Sequence, residues 1–143
     1  MKSVRQLLQA KGRNVHTIAP DARVFDALKL MAEKDVGALV VTEGDRLAGI
    51  ISERDYARKV ILLGKSSQDI PVRDIMTGKV ITVGLDQTVE ECMAIMTGKR
   101  IRHLPVTEGE RLAGVLSIGD LVKAVIEEQQ QEIAQLQQYI TAG

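Results

Sequence analysis

Two four-residue patterns are the strongest chemical signals in this sequence: Ser52-Glu53-Arg54-Asp55 and Ser117-Ile118-Gly119-Asp120. Each sets a hydroxyl three residues ahead of a carboxylate, which places both groups in the first turn of a helix. Taken alone, the pattern is close to a capping box, with Ser capping the helix and the acid favouring its dipole. The same groups can hold a ligand. A carboxylate accepts two neighbouring hydroxyls in a charge-assisted, bidentate way, and a hydroxyl beside a helix N-terminus suits an anion. The two roles are compatible. Catalytic constellations are missing: there is no Gly-x-Ser-x-Gly, Gly-x-x-x-x-Gly-Lys-Ser/Thr or His-Glu-x-x-His. His16 and His103 are the only histidines, and no metal site is suggested. His16 reads as a surface or packing residue beside a strand, and Cys92 as part of an apolar helix face.

The elements that position these patterns are duplicated. Val15–Val60 aligns with Val80–Val125 without a gap at an offset of 65, with 18 identities in 46 positions. Thr42–Gly49 and Thr107–Gly114 differ by a single Asp-to-Glu exchange. Each copy predicts a short strand (Thr17–Ile18; Thr82–Val83), then a turn at Pro20-Asp21 or Leu85-Asp86 where Asp suits an N-cap or turn. A helix follows with apolar residues at helical spacing: Val24, Ala27, Leu28, Met31, and Val89, Cys92, Met93, Met96. Two apolar strands come next (Ala38–Thr42 with Leu47–Ser52; His103–Thr107 with Leu112–Ser117), joined by a Gly-containing hairpin. A second helix starts near Ser52 or Ser117. The result is an α/β (α+β) fold of two β-α-β-β-α repeats related by pseudo-twofold symmetry. One such unit cannot bury both its helices and its sheet, so the repeats are expected to form one cooperative module. The expected division is residues 1–14 as an N-terminal helix and lead-in, 15–64 as copy one, 65–79 as linker, 80–126 as copy two and 127–143 as a helical tail.

Composition bounds the function. At 143 residues the chain is of single-domain size and buries roughly 70% of its unfolded surface. Lys and Arg number 19, as do Asp and Glu, so no global basic field invites nucleic acid. Aromatics are limited to Phe25, Tyr56 and Tyr139, too few for base-stacking platforms. One cysteine, no membrane-length apolar run and no signal-like N-terminus make a cytoplasmic protein the expectation.

At this point a family resemblance is legible. Gly49-Ile50-Ile51-Ser52-Glu53-Arg54-Asp55 and Gly114-Val115-Leu116-Ser117-Ile118-Gly119-Asp120 resemble the paired motifs of the cystathionine-β-synthase (CBS) domain pair, or Bateman module. Val72-Arg73-Asp74-Ile75-Met76-Thr77 resembles the lead-in of such modules, and Arg100-Ile101-Arg102-His103-Leu104-Pro105-Val106 is similar to their second strand. The resemblance implies a cleft between the motifs, up to two nucleotide sites, and a regulatory rather than catalytic role. The ligand it implies is AMP foremost, with ADP, ATP, NAD or S-adenosylmethionine as the other classes. It places at the ligand Thr17, Ile18, Val36, Gly37, Ala38, Ile51, Ser52, Arg54 and Asp55 of copy one. In copy two it places Thr82, Val83, Ile101, Arg102, His103, Leu104, Pro105, Leu116, Ser117, Gly119 and Asp120.

Within that frame the copies differ where charge matters. Copy two has Arg102-His103 where copy one has Gly37-Ala38. Arg102 and His103 are therefore expected to face the phosphate of a nucleotide whose ribose is held by Asp55. The reciprocal site at Asp120 is expected to face Gly37 and Ala38, with room but no charge. Arg54 can serve either phosphate, and Gly119 replaces it in copy two. Downstream, Ile126, Gln129, Ile133, Leu136 and Ile140 recur at 3-4 spacing, a short coiled-coil-like seam. The seam predicts a homodimer. The regulated target is expected to be a separate effector protein, with neither membrane nor nucleic acid as partner. The alternative function is a ligand-independent interaction module.

Overall fold

A computed structural model describes residues 2–12 and 14–142. Helix α1 (Val4–Lys11) opens with a complete capping box: Ser3 Oγ accepts from Gln6 N, and Gln6 Oε1 accepts from Ser3 N. Copy one follows as β1 (Thr17–Ile18), α2 (Val24–Lys34), β2 (Ala38–Glu43), β3 (Arg46–Ser52) and α3 (Glu53–Tyr56). A π-helical turn, Ala57–Ile61, extends α3, and a 3-10 turn at Val72–Asp74 leads into copy two. Copy two contains α4 (Val89–Lys99), β4 (His103–Glu108), β5 (Arg111–Ser117) and the 25-residue α5 (Ile118–Ala142). The five described strands form one mixed sheet in the order β1-β2-β3-β5-β4, joined across the copies by the antiparallel pair Arg46–Arg111. No described helix is long and apolar enough to cross a membrane.

The hairpins repeat faithfully. Gly44 and Gly109 sit at φ 64° and 62°, the left-handed turn conformation that glycine adopts without strain. Both ladders shift register at the same place, Val41/Thr42 and Val106/Thr107. One expected strand is missing. Thr82–Val83 is reduced to a single parallel bridge, Val83 to Val106, whereas Thr17 and Ile18 pair with Val40 and Val41. Pro105 occupies the position equivalent to Val40, and Val40 N donates to His16 O. Proline has no N–H to make that bond, so the strand cannot propagate.

The turn aspartates do not cap the helices that follow them. Asp21 pairs with Arg73 and Asp86 with Arg5. Helix α2 starts at Arg23 without a side-chain cap, while Thr88 caps α4 by accepting from Glu91 N at 3.2 Å. Thr88→Ala should therefore lower the unfolding free energy by about 1 kcal/mol in urea denaturation, and Arg23→Ala should lower it much less.

Two aliphatic cores hold the repeats, and each is completed by a segment belonging to the other copy's approach. Val4, Leu7 and Leu8 of α1 precede copy one but pack with Leu104, Leu116 and Leu121 of copy two. Val72 and Ile75 precede copy two but pack with Leu39, Ile51 and Val60 of copy one. Main-chain bonds follow the same exchange: Val4 N to Gln87 O, and Val72 N to Ala22 O. This reciprocal packing brings the lead-in of one copy beside the motif glycine of the other. A Cβ on Gly114 would lie 2.8 Å from Leu8 Cδ2, and one on Gly49 would lie 2.7 Å from Thr77 O.

Candidate ligand-binding site

Both Ser-x-x-Asp patterns start helices as their spacing predicts. Ser52 Oγ accepts from Asp55 N at 3.2 Å, and Asp55 Oδ2 accepts from Ser52 N at 3.0 Å and from Ser52 Oγ at 3.1 Å. At Ser117 the same pair of bonds measures 3.2 and 2.8 Å. Capping consumes mainly Oδ2 in each case. Asp55 Oδ1 faces Lys59 Nζ at 3.2 Å, and the carboxylate keeps acceptor capacity for further donors.

Two cavities lie against these helix starts. The larger, about 700 Å³, falls within the range of small-molecule sites. It is lined by Gly37, Ala38, Ile50, Ser52, Glu53, Arg54 and Asp55 of copy one, and by Thr77, Lys79, Val80, Ile81, Arg100, Ile101, Arg102 and His103. Four of these carry positive charge (Arg54, Lys79, Arg100, Arg102) against two carboxylates (Glu53, Asp55), so the cleft favours an anion. The smaller, about 220 Å³, is lined by Lys11, Asn14, Val15, His16, Val36, Ala38, Leu39, Val40, Ile50, His103, Val115 and Ser117. Ala38, Ile50 and His103 belong to both walls.

Of the residues expected at a ligand, the structure brings Gly37, Ala38, Ser52, Arg54, Asp55, Ile101, Arg102 and His103 to the larger cleft. Val36, Ala38, His103 and Ser117 line the smaller one. Ile51, Leu104 and Leu116 are fully buried in the cores, and Val83 is 2% exposed. Pro105 is also buried, and Thr17, Ile18, Thr82 and Gly119 line neither cavity. The stretches that do line them, Asn14–His16 and Lys79–Ile81, fall just ahead of Thr17 and Thr82. Gly37 opens on the larger cleft, not on the reciprocal site.

The expectation of a second site without charge needs correction. Lys11, from outside the repeat, reaches Asp120 Oδ2 at 2.5 Å and lines the smaller cavity. Asp120 itself does not line it. Sequence reasoning missed Lys11 because the gapless alignment begins after it. It missed Lys79 although it falls just ahead of the second copy, Glu53 although it lies inside the Ser-x-x-Asp motif, and Arg100 although it opens the second-strand motif.

Electrostatics at the shared wall sets a pH dependence. Burial holds His103 below the ordinary histidine range, with Lys11 and Arg102 pushing the same way and Asp120 opposing them. Burial alone would raise Asp120, but the bonds from Lys11 and Ser117 outweigh it and hold the carboxyl below its usual value. For His103 the unfolded chain takes a proton first, so stability falls as pH drops below about 6.5, down to the lower folded value. The Asp120 contribution is present above the ordinary carboxylate value of about 3.8 and is lost as pH falls through the lower folded value. Urea titrations should show the upper loss vanish in His103→Gln and the lower one shrink in Asp120→Asn.

Sequence comparison places this architecture among known proteins. The CBS-domain family model matches residues 4–61 and again 72–127. The chain belongs to the CBS-domain family. It is 42% identical to CBS domain-containing protein CBSX3, mitochondrial, of Arabidopsis thaliana, over 99% of this chain and 73% of that protein. The solved structure of a protein with CBS domains from Burkholderia ambifaria is 53% identical and superposes with a TM-score of 0.85, covering 90% of this chain and 96% of that one. A more distant CBS domain pair, 22% identical with a TM-score of 0.78, covers 90% of this chain and 98% of its own and was solved with 5′-methylthioadenosine and S-adenosylmethionine. At that identity it shows the shared fold alone. CBS pairs are regulatory ligand-binding modules, and this chain is one of them.

Proposed function

We propose that this CBS pair is a sensor that binds an adenine nucleotide in the larger cleft, AMP foremost, and signals its level to a protein effector. The observation that carries the reading is a single cleft holding Asp55 and Ser52 together with Arg54, Lys79, Arg100 and Arg102. Asp55 accepts the two ribose hydroxyls through its remaining lone pairs, and the cations receive the phosphate. Ile50, Val80, Ile81 and Ile101 supply apolar walls for the base. Neutral His103 contributes one N–H donor. The adenosine-bearing ligands of the distant CBS pair are compatible with this assignment of roles.

The affinity expected is modest. A ligand of about 23 heavy atoms at roughly 0.3 kcal/mol per atom gives about 7 kcal/mol, a Kd near ~10 μM. Calorimetric titration with AMP, ADP, ATP, NAD and S-adenosylmethionine tests the reading. Micromolar binding of one of them supports the sensor; no heat from any of them leaves a ligand-independent interaction module.

We also infer that α5 joins two copies of the chain. Ile126, Ile133, Leu136 and Ile140 are 48%, 54%, 62% and 75% exposed, so the apolar seam has no partner among the described residues. The flanking positions Gln130, Glu132 and Gln137 set no like-charge pair against self-association. A chain ending at Glu128 should sediment with weakened association relative to the full chain. Unchanged mass would remove the tail from the interface.

A further inference from the structure

The duplicated motif supplies two carboxylates, but their lysines come from different directions. Asp55 is paired with Lys59, one turn along its own helical segment; Lys59 also donates to Ile75 O at 2.9 Å, and it lines neither cavity. The residue equivalent to Lys59 in copy two is Ala124, which is buried at 3% exposure and carries no charge. Asp120 instead takes Lys11 from the end of α1, and that lysine does line the cavity.

The main chain shows why Lys11 sits there. In copy one, Ile50 and Thr77 exchange two main-chain bonds, N to O at 3.1 Å and N to O at 2.9 Å. Val115, the counterpart of Ile50, has its carbonyl bonded by Lys11 Nζ at 2.9 Å. One ammonium therefore serves both the free carbonyl and the carboxylate, using two of its three donors. The cavity it lines has about 220 Å³, against about 700 Å³ on the Asp55 side.

We propose that Lys11 is a built-in occupant of the second cleft: from inside the cavity it holds the Oδ2 edge of the carboxylate a ligand's diol would approach, whereas Lys59 meets Asp55 from outside its cleft, and so Lys11 limits this chain to one adenine nucleotide. The proposal rests on the nucleotide reading of the Asp55 cleft and deepens it by assigning stoichiometry. Lys11→Met keeps the aliphatic stem of the side chain, and Asp120 keeps its capping bonds with Ser117, so the fold is expected to survive the exchange.

The test is the stoichiometry of AMP binding by calorimetry. The wild-type chain is expected to bind one AMP, with loss of that site in Asp55→Ala. Lys11→Met should bind two, the second disappearing when Asp120→Ala is added, while Lys11→Arg stays at one. Two sites in the wild-type chain, or one in a folded Lys11→Met variant, would overturn the proposal. If AMP binds neither cleft in any variant, the nucleotide reading fails first. Carbon-detected NMR titration of the Asp120 carboxyl then decides whether Lys11 occupies it. A midpoint that moves upward in Lys11→Met upholds the occupancy, and an unmoved midpoint refutes it.

Discussion

Asp55→Ala is expected to weaken AMP binding by about 30- to 100-fold, while Asp120→Ala leaves the affinity of the occupied site unchanged. Hydrogen bonds to a charged group contribute about 1.5–3 kcal/mol, and about 1.4 kcal/mol is a factor of ten. The alanine variant also leaves Lys59 without its acid and removes one half of the α3 capping box. Asp55→Asn keeps the size and one acceptor and should lose only about tenfold, separating the ligand bond from local unfolding. Arg102→Ala should weaken binding by about tenfold, since Arg54, Lys79 and Arg100 share the phosphate. Equal losses from Asp55→Ala and Asp120→Ala in calorimetry would contradict the asymmetry between the clefts.

The second large effect concerns how each copy is completed by the other's lead-in. Leu8 is 1% exposed, and Leu8→Ala should lower the unfolding free energy by about 3 kcal/mol through lost burial and the void left behind. Gly114→Ala puts a methyl 2.8 Å from Leu8 Cδ2 and should cost about 1–3 kcal/mol by overpacking. The double variant should be less damaging than the sum, because the new methyl enters the space the leucine leaves. Gly49 gives the contrast. Its added methyl meets Thr77 O at 2.7 Å as well as Met76 Sδ at 2.8 Å, so Met76→Ala relieves only part of the clash. Guanidinium denaturation of the singles and doubles reads this directly. Strict additivity at Leu8 and Gly114 would mean that α1 does not seat against copy two in solution.

The duplication made much of this legible in advance. Two patterns in gapless register were enough to place hairpins, helix starts and the motif aspartates, because local turn and capping chemistry decides them. Pro105 shows where symmetry misleads: the missing strand follows from one absent N–H, a difference between the copies that the repeat pattern alone does not register. The cleft walls were harder. Ile51, Leu104 and Leu116 alternate inward along strands that also border the cavities, and the motif marks the strand without marking which face is open. Lys11 was invisible for another reason. It lies ahead of the repeat and acts on a carboxylate 109 residues later, a juxtaposition created by the exchange of lead-in segments.

Amide-resolved NMR of the full chain with AMP tests the central claim most directly. The proposal predicts saturable shifts at Ser52, Arg54, Asp55, Lys79, Ile81 and Arg102, with Asn14 and Ser117 unmoved until Lys11 is replaced. Shifts centred on Asn14, His16 and Ser117 in the wild-type chain, or none at all, would contradict it.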